Sequence, residues 1–276
     1  MINVEVIYGG DMMAWQLYEG DCLEIMPTLP DKSIDMILCD LPYGTTACKW
    51  DIVIPFKPLW EQYERLIKDN GAMVLFGTEP FSSLLRTSNL RLFKYDWIWK
   101  KTRATGFINC KHQPLKIHEI ISVFSLGTIA NKSGKVMNYN PQGIVYSPYR
   151  KKRNKPMTAK PDGFLGKRPS HVSEYDVEFI NYPKSIMKYS NPNNDNTHPT
   201  QKPVDLCEYL IRTYTNYSDT VLDNCAGSGT TGVAAENLGR NSILIEREPK
   251  YCDIIRKRMA NRQTTLFETG VETDAT

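Results

Sequence analysis

The chain reads as an α/β protein built on a largely parallel sheet, and three observations predict this. Between about Leu17 and Leu126, short apolar runs alternate with amphipathic stretches at strand–helix–strand spacing. From Gly127 to Thr197 the pattern dissolves into Pro, Gly, Asn, Lys and Tyr. From Gln201 onward it returns. A chain of 276 residues buries a sizeable core, enough for one main domain and a smaller appended region.

The elements follow in order. Ile34 to Cys39 is a short apolar run read as a buried strand. Pro58 to Lys68 is read as a helix with Leu59, Trp60, Tyr63, Leu66 and Ile67 on one face, stopped by Asn70-Gly71. Ala72 to Phe76 is the next strand, and Pro80 to Arg86 begins the next helix. Tyr95 to Trp99 and Ile120 to Phe124 are two further strands, with Trp97 and Trp99 expected in the core. After the irregular zone, Pro203 to Thr213 is a helix with Pro at its favoured start. Thr220 to Leu222 is a strand, Thr230 to Leu238 a helix stopped at Gly239, and Ser242 to Ile245 a strand. Pro249 to Asn261 is a basic helix, followed by a polar tail expected to fray.

Hydrophobic residues make up 41% and charged residues 24%, ordinary for a soluble globular protein. No apolar run approaches the roughly 18 residues of a membrane span, and the opening residues Met1 to Glu5 lack the layout of a secretory signal. Seven cysteines, an odd number without C-x-x-C spacing, argue against a disulfide framework and against a metal site. A reducing, cytoplasmic setting is expected. The net charge of +3 says little, but its distribution says more. Arg150, Lys151, Lys152, Arg153, Lys155, Lys160, Lys167 and Arg168 face a single acid, Asp162, within one stretch. Such a run is either a solvated loop or an arm for phosphates.

Two segments carry the chemistry. The first is Asp223-Asn224-Cys225-Ala226-Gly227-Ser228-Gly229-Thr230-Thr231-Gly232, between a strand and a helix. Glycines there permit a tight turn and close backbone approach to a ligand, and the helix start offers free N–H groups. Gly227, Gly229 and Gly232 also satisfy the dinucleotide pattern G-x-G-x-x-G. Asp223 tips the balance: a carboxylate repels a pyrophosphate but attracts the ammonium of a methionine-derived cofactor. Glu246, ending the next strand, suits a ribose diol.

The second segment is Asp40-Leu41-Pro42-Tyr43, delivered to the C-terminal end of a strand, where α/β sheets bind ligands. An exocyclic amine has two N–H donors. The Asp40 carboxylate and a backbone carbonyl accept both and aim the nitrogen lone pair outward. Stacking of an extruded base on Tyr43, at about 1–3 kcal/mol, is comparable to the cost of unstacking it.

Together these segments resemble the N6-adenine and N4-cytosine DNA amino-methyltransferases, in the permuted branch where the catalytic D-P-P-Y precedes the cofactor loop. Asp40 to Tyr43 matches that tetrapeptide with Leu41 for its first proline, and Asp223 to Thr231 matches D-P-F-x-G-S-G-T-T with Asn224 and Cys225 for Pro-Phe. Gly20-Asp21, His198 to Pro203 and Glu246 resemble three further family positions.

The resemblance implies a Rossmann-like methyltransferase sheet with helices on both faces. Its halves would be residues 1–126, catalytic, and 198–262, cofactor-binding. Residues 127–197 would be an irregular target-recognition insertion and 263–276 a disordered tail. It implies S-adenosylmethionine as cofactor, held by Asp21, Thr200, Lys202, Asp223, Cys225, Ala226, Gly227, Gly229, Thr230 and Glu246. Asp40, Leu41, Pro42 and Tyr43 would be catalytic. The implied reaction is direct methyl transfer to N6 of a flipped adenine, with no covalent enzyme intermediate. The opening acid favours adenine, since N4-cytosine members more often carry serine there.

Double-stranded DNA is the expected partner. Arg150, Lys151, Lys152, Arg153, Lys155, Lys167 and Arg168 would bind its phosphates, and Tyr139, Asn140, Tyr146 and Tyr149 would reach its bases. Lys100, Lys101 and Arg103 would extend the basic surface. A homodimer is an allowed assembly. A non-catalytic DNA-binding module and a dinucleotide oxidoreductase stay open as readings from other classes.

Overall fold

The computed structural model describes residues 3–8, 14–45, 51–130, 133–152, 174–191 and 201–269. By contact density the chain divides into a main unit, Met1–Asn140 with Ser185–Thr276, and a small unit, Pro141–Lys184.

The main unit is a nine-stranded sheet. Its strands are β1 (Asn3–Tyr8), β2 (Ala14–Glu19), β3 (Ile34–Cys39), β4 (Ile67–Gly77), β5 (Phe93–Thr105), β6 (Lys116–Ser125), β9 (Ile186–Lys188), β10 (Thr220–Asp223) and β11 (Asn241–Glu246). Their order across the sheet is β1-β2-β11-β10-β3-β4-β6-β5-β9. The pairs from β2 through β11, β10 and β3 to β4 are parallel, and β1 and β6 run antiparallel to their neighbours. The sheet is therefore mostly parallel, as the alternating apolar runs predict.

The helices are α1 (Cys22–Ile25), α2 (Phe56–Leu66), α3 (Phe81–Ser88), α4 (Val204–Tyr214), α5 (Thr230–Asn237) and α6 (Pro249–Thr269). Strand β3 shows how they divide. It is buried along its whole length, and alternate side chains serve opposite faces. Ile37 and Cys39 join a core with Leu59, Trp60 and Tyr63 of α2 and Phe81 of α3. Met36 and Leu38 join a second core with Leu206, Leu210 and Tyr214 of α4 and Ala234 of α5. A third cluster seats α6 on β2 and β11 through Ile255, Leu17 and Leu244. Helices thus cover both faces. Among the described residues, no helix is long and apolar enough to cross a membrane.

Several boundaries differ from the sequence reading, and β5 and β6 in particular run longer at both ends. Ile67 leaves the helix and opens β4, where it pairs with Ile34 in the core. Gly71 is not a helix stop but lies inside β4 beside a register shift; a Cβ there would sit 2.7 Å from the Asp35 carbonyl oxygen. At the C-terminus, α6 continues past Asn261 to Thr269.

The expected insertion of residues 127–197 is also trimmed at both ends. Met137 is buried in the core, and the Asn138 and Asn140 N–H groups donate to Asn70 and Thr213. Strand β9 pairs with β5 at the other end. The small unit is an antiparallel pair, β7 (Val145–Lys152) with β8 (Glu174–Ile180). The Tyr146 and Phe179 rings meet edge-on across it at 5.5 Å.

Candidate active site

Strands β10 and β3 are parallel neighbours, with Leu222 beside Ile37. Their C-terminal ends therefore release Asp223 and Asp40 on the same edge of the sheet, the edge where α/β sheets bind ligands. Above it opens a cleft of about 700 Å³. Asp21, Asp40 to Tyr43, Lys202, Asp223, Cys225 to Gly227, Thr230 and Glu246 all line it. Residues far apart in the chain are brought together here by sheet topology. Thr200 and its neighbours His198 and Pro199 lie outside the described residues.

The glycine loop is built from backbone. Glu246, at the end of β11, accepts the Gly227 N–H at 2.7 Å on one oxygen and the Glu248 N–H at 2.8 Å on the other. The Arg247 N–H bonds the same carboxylate, and a carboxylate's roughly four acceptor sites leave room for a ligand hydroxyl. Burial holds the Glu246 carboxyl above its ordinary value. Arg258 of α6 reaches back to the Ser228 carbonyl at 2.5 Å, and Tyr63 donates to the Asn224 side chain at 2.6 Å. Asn224, which departs from the family proline, thus fastens the loop from below.

Asp223 is almost fully buried and accepts the Cys225 N–H at 3.1 Å. Burial pushes its carboxyl up to about 6, against the pull of the Thr231 hydroxyl and the Cys225 N–H. A desolvated carboxylate of this kind gains most from a cationic partner.

Gly229 was expected at the cofactor but does not line the cleft. It caps α5 at a φ of +76°, and a Cβ would meet Ile255 at 3.0 Å. Gly232, the third glycine of the pattern, lets α5 lie close on β11: a Cβ would come within 2.7 Å of Leu244.

The tetrapeptide is held differently, by side chains from distant elements. Tyr43 donates its hydroxyl to Asp40 Oδ1. Lys202 donates its ammonium to Asp40 Oδ2 at 2.5 Å. Lys202 also lies 3.4 Å from Glu119 of β6, and Glu119 in turn pairs with Lys101 of β5. Lys202 was expected at the cofactor; it lines the cleft, but its charge is committed to the two carboxylates.

Lys101, expected on a basic surface, is mostly buried instead, over the Trp99 ring. Both tryptophans are core residues as expected, although Trp99 also reaches the cleft. Burial raises the Asp40 carboxyl, and Lys202 opposes it. Burial also raises Glu119, but Lys202 and Lys101 outweigh it and leave Glu119 below its ordinary value. Burial keeps the Tyr43 phenol far above its ordinary value, so it remains a donor.

Several lining residues escaped the sequence reading, among them two carboxylates beside the tetrapeptide. Glu119 is one; its signal was an acid at the mouth of the apolar run Ile120 to Phe124. Asp51 is the other. Its two oxygens accept the Gly44 and Thr45 N–H groups at 2.8 and 2.9 Å, closing the loop after Tyr43. Nothing local in the sequence marks it.

Leu41, the departure in the tetrapeptide, is buried in the core. Cys225 packs beside the same core, near Cys22 and Cys39. Burial pushes the Cys39 thiol up to about 12, so the cysteine beside Asp40 stays protonated and is no nucleophile at neutral pH. The six cysteines of the described residues are free thiols.

The expected DNA contacts divide. Asn140 is spent on the end of α4, where its side chain donates to the Thr215 carbonyl at 3.1 Å, and Tyr139 packs on the Tyr214 ring. Tyr146 and Tyr149 are exposed on β7. Arg150, Lys151 and Lys152 lie on β7, in register with Asp176, Tyr175 and Glu174. Arg153, Lys155, Lys160, Lys167 and Arg168 fall outside the described residues.

A sequence model of the DNA methylase family matches residues 34–257 of this chain, from the start of β3 into α6. The chain belongs to the N6/N4 DNA methylase family. The methylase is 24% identical to the type II methyltransferase M2.MboI of Moraxella bovis, over 93% of this chain and 92% of that protein. It is similar to the solved M1.HpyAVI–SAM complex, at 26% identity and a TM-score of 0.56, over 89% of this chain and 98% of that one. Its fold also matches the PvuII cytosine-N4-specific DNA methyltransferase, at 16% identity and a TM-score of 0.63, over 92% and 91% of the two chains. The methylase fold is the Rossmann-like methyltransferase sheet that the sequence predicts.

Proposed function

We propose that this methyltransferase uses S-adenosylmethionine to methylate N6 of adenine in double-stranded DNA, with the base turned out of the duplex into the cleft. The observation that carries this reading is the convergence of Asp40 and Asp223 from adjacent strand ends onto one cavity, with Glu246 on its wall. Asp223 suits the ammonium of the cofactor's methionine part, Glu246 its ribose diol, and Asp21 its adenine side. A dinucleotide fits poorly, because its pyrophosphate would face this carboxylate wall.

When bound, the cofactor supplies an electrophilic methyl group. The chain supplies everything else. Asp40 accepts a hydrogen bond from one N–H of the target amine and the Leu41 carbonyl from the other, which turns the nitrogen lone pair toward the methyl group; once the nitrogen carries the methyl, its one surplus proton passes to Asp40. Tyr43 donates to Asp40 and fixes its rotamer. Lys202 occupies Asp40 in the free protein, so an arriving amine competes with it. Glu119 stands 3.4 Å away as the second carboxylate on which the ammonium can rest. Positioning and electrostatics carry the acceleration. The unit Pro141–Lys184 reads the target sequence through exposed Tyr146 and Tyr149, with the cations of β7 on phosphates. The order of tetrapeptide before glycine loop supports placing the chain in the permuted branch of the family.

Single-molecule sequencing of plasmid DNA from cells expressing the protein tests this. The expected result is N6-methyladenine in one sequence context, lost with Asp40→Ala. N4-methylcytosine in its place overturns the adenine assignment, and unmodified DNA overturns the activity.

A further inference from the structure

Strands β5 and β6 form an antiparallel hairpin whose register closes at Thr105 opposite Lys116. The end next to the turn is part of the cleft, since Arg103, Ala104 and Thr105 line the same cavity as Asp40. Its tip is a 3-10 turn, Phe107–Asn109, held by the Asn109 N–H on Gly106 and the Cys110 N–H on Phe107. This ordered turn displays two adjacent apolar side chains to solvent: Phe107 is 67% exposed and Ile108 is 97% exposed. Neither contributes to a core cluster, so folding gives no reason for them. A single exposed apolar residue needs no explanation. An adjacent pair at the tip of a projection beside the substrate cleft does.

The charge around the pair names the partner. From Lys100 to Lys116 there are five Lys or Arg and no Asp or Glu. Of these cations, Lys100, Arg103, Lys111 and Lys116 are exposed. An apolar tip on a cationic stem fits a polyanion with an apolar interior, which is a nucleic-acid duplex with its stacked bases. A base that leaves the duplex leaves a gap of one stacking layer, and side chains of this class stabilise such unstacked steps.

We infer that the Phe107–Ile108 tip of the β5–β6 hairpin inserts into the base stack at the target step and holds open the space the target base vacates, while the cationic stem grips the flanking phosphates. This rests on the reading of the cleft as the seat of the target base. It assigns to the hairpin a part in base extrusion, separate from sequence readout and from methyl transfer.

The test uses duplex oligonucleotides carrying the site that sequencing identifies, with the target base either correctly paired or opposite an abasic position. Single-turnover methylation is measured for wild type, for Phe107→Ala/Ile108→Ala, and for Phe107→Leu/Ile108→Leu. The alanine pair is expected to lose at least about tenfold on the paired duplex and to stay within about twofold of wild type on the abasic duplex, where little work of extrusion remains. The leucine pair is expected to recover most of the paired rate. Cofactor affinity by calorimetry is expected to be unchanged, which reports an intact fold. Equal losses on both duplexes, or no loss on the paired one, overturn the wedge. Failure of the wild type to methylate either duplex instead overturns the reading of the cleft.

Discussion

The two loops that meet in the cleft are fastened by opposite means. The glycine loop after β10 gives backbone N–H groups to the Asp223 and Glu246 carboxylates, and Arg258 and Tyr63 fasten it from α6 and α2. The tetrapeptide after β3 is tied by the Lys202 side chain, which Glu119 of β6 and, through it, Lys101 of β5 hold in turn. The first arrangement makes a fixed cradle, because backbone donors cannot move without unfolding the loop. The second makes an adjustable one: Lys202 can shift between two carboxylates without disturbing the main chain. On the proposed function, the cofactor falls to the first and a base that displaces a resident cation to the second.

The largest expected effect tests the adjustable side. Asp40→Ala should cut methylation by roughly a hundred- to a thousandfold or more while leaving cofactor affinity within a few fold, read by radiolabel transfer and calorimetry. A variant that loses both equally would mean the two loops are not separable. On the fixed side, Glu246→Ala should weaken cofactor binding by roughly ten- to a hundredfold, as charge-assisted hydrogen bonds worth about 1.5–3 kcal/mol disappear. It should also lower Tm, because the Gly227 and Glu248 N–H groups lose their acceptor.

Protons should separate the loops as well. With the Asp223 carboxyl at about 6, its charged form is lost as pH falls through 6. Cofactor affinity should therefore drop about tenfold between pH 7.5 and 5. The stability sign is the reverse in the free protein. A folded value above the unfolded one favours the folded state below about pH 4, and this contribution, at most about 3 kcal/mol, is lost as pH rises through 6. The rise in Tm on adding cofactor should thus be larger at pH 7.5 than at pH 5; an equal rise would remove Asp223 from the cofactor's ammonium.

Smaller effects sharpen the comparison. Glu119→Gln should slow methylation by up to about tenfold by leaving Lys202 clamped on Asp40, with cofactor affinity unchanged. Unaltered single-turnover rates would show that Lys202 needs no second carboxylate. Smallest of all, Cys225→Ala should alter cofactor affinity by less than about threefold, since the thiol offers only modest packing area.

The cradle was legible in the sequence because it is local. Asp223 to Thr231 sits between an apolar run and a helix start, and glycine, carboxylate and threonine state their chemistry within a few residues. Even so, the pattern assigned Gly229 to the cofactor, when its lack of a side chain serves packing against Ile255. The tetrapeptide's first and last residues were legible for the same reason. Lys202 was found but its ties to Asp40 and Glu119 were not, and Glu119 and Asp51 were missed, because no short-range pattern says which distant charges a strand end will meet.

The order of strands β3 to β6, β10 and β11 and of helices α2 to α6, the parallel character of the sheet and the two strand ends bearing Asp40 and Asp223 were determined by sequence alone, through apolar periodicity and turn chemistry that act over a few residues. Tertiary structure decided the rest. The adjacency of β10 and β3 joined two loops from opposite halves of the chain, and the register of β5 with β6 set Lys101 and Glu119 beneath Lys202 and left Phe107 and Ile108 exposed at the hairpin tip. Register depends on which strands pair, and pairing is settled by burial across the whole sheet rather than by any one segment.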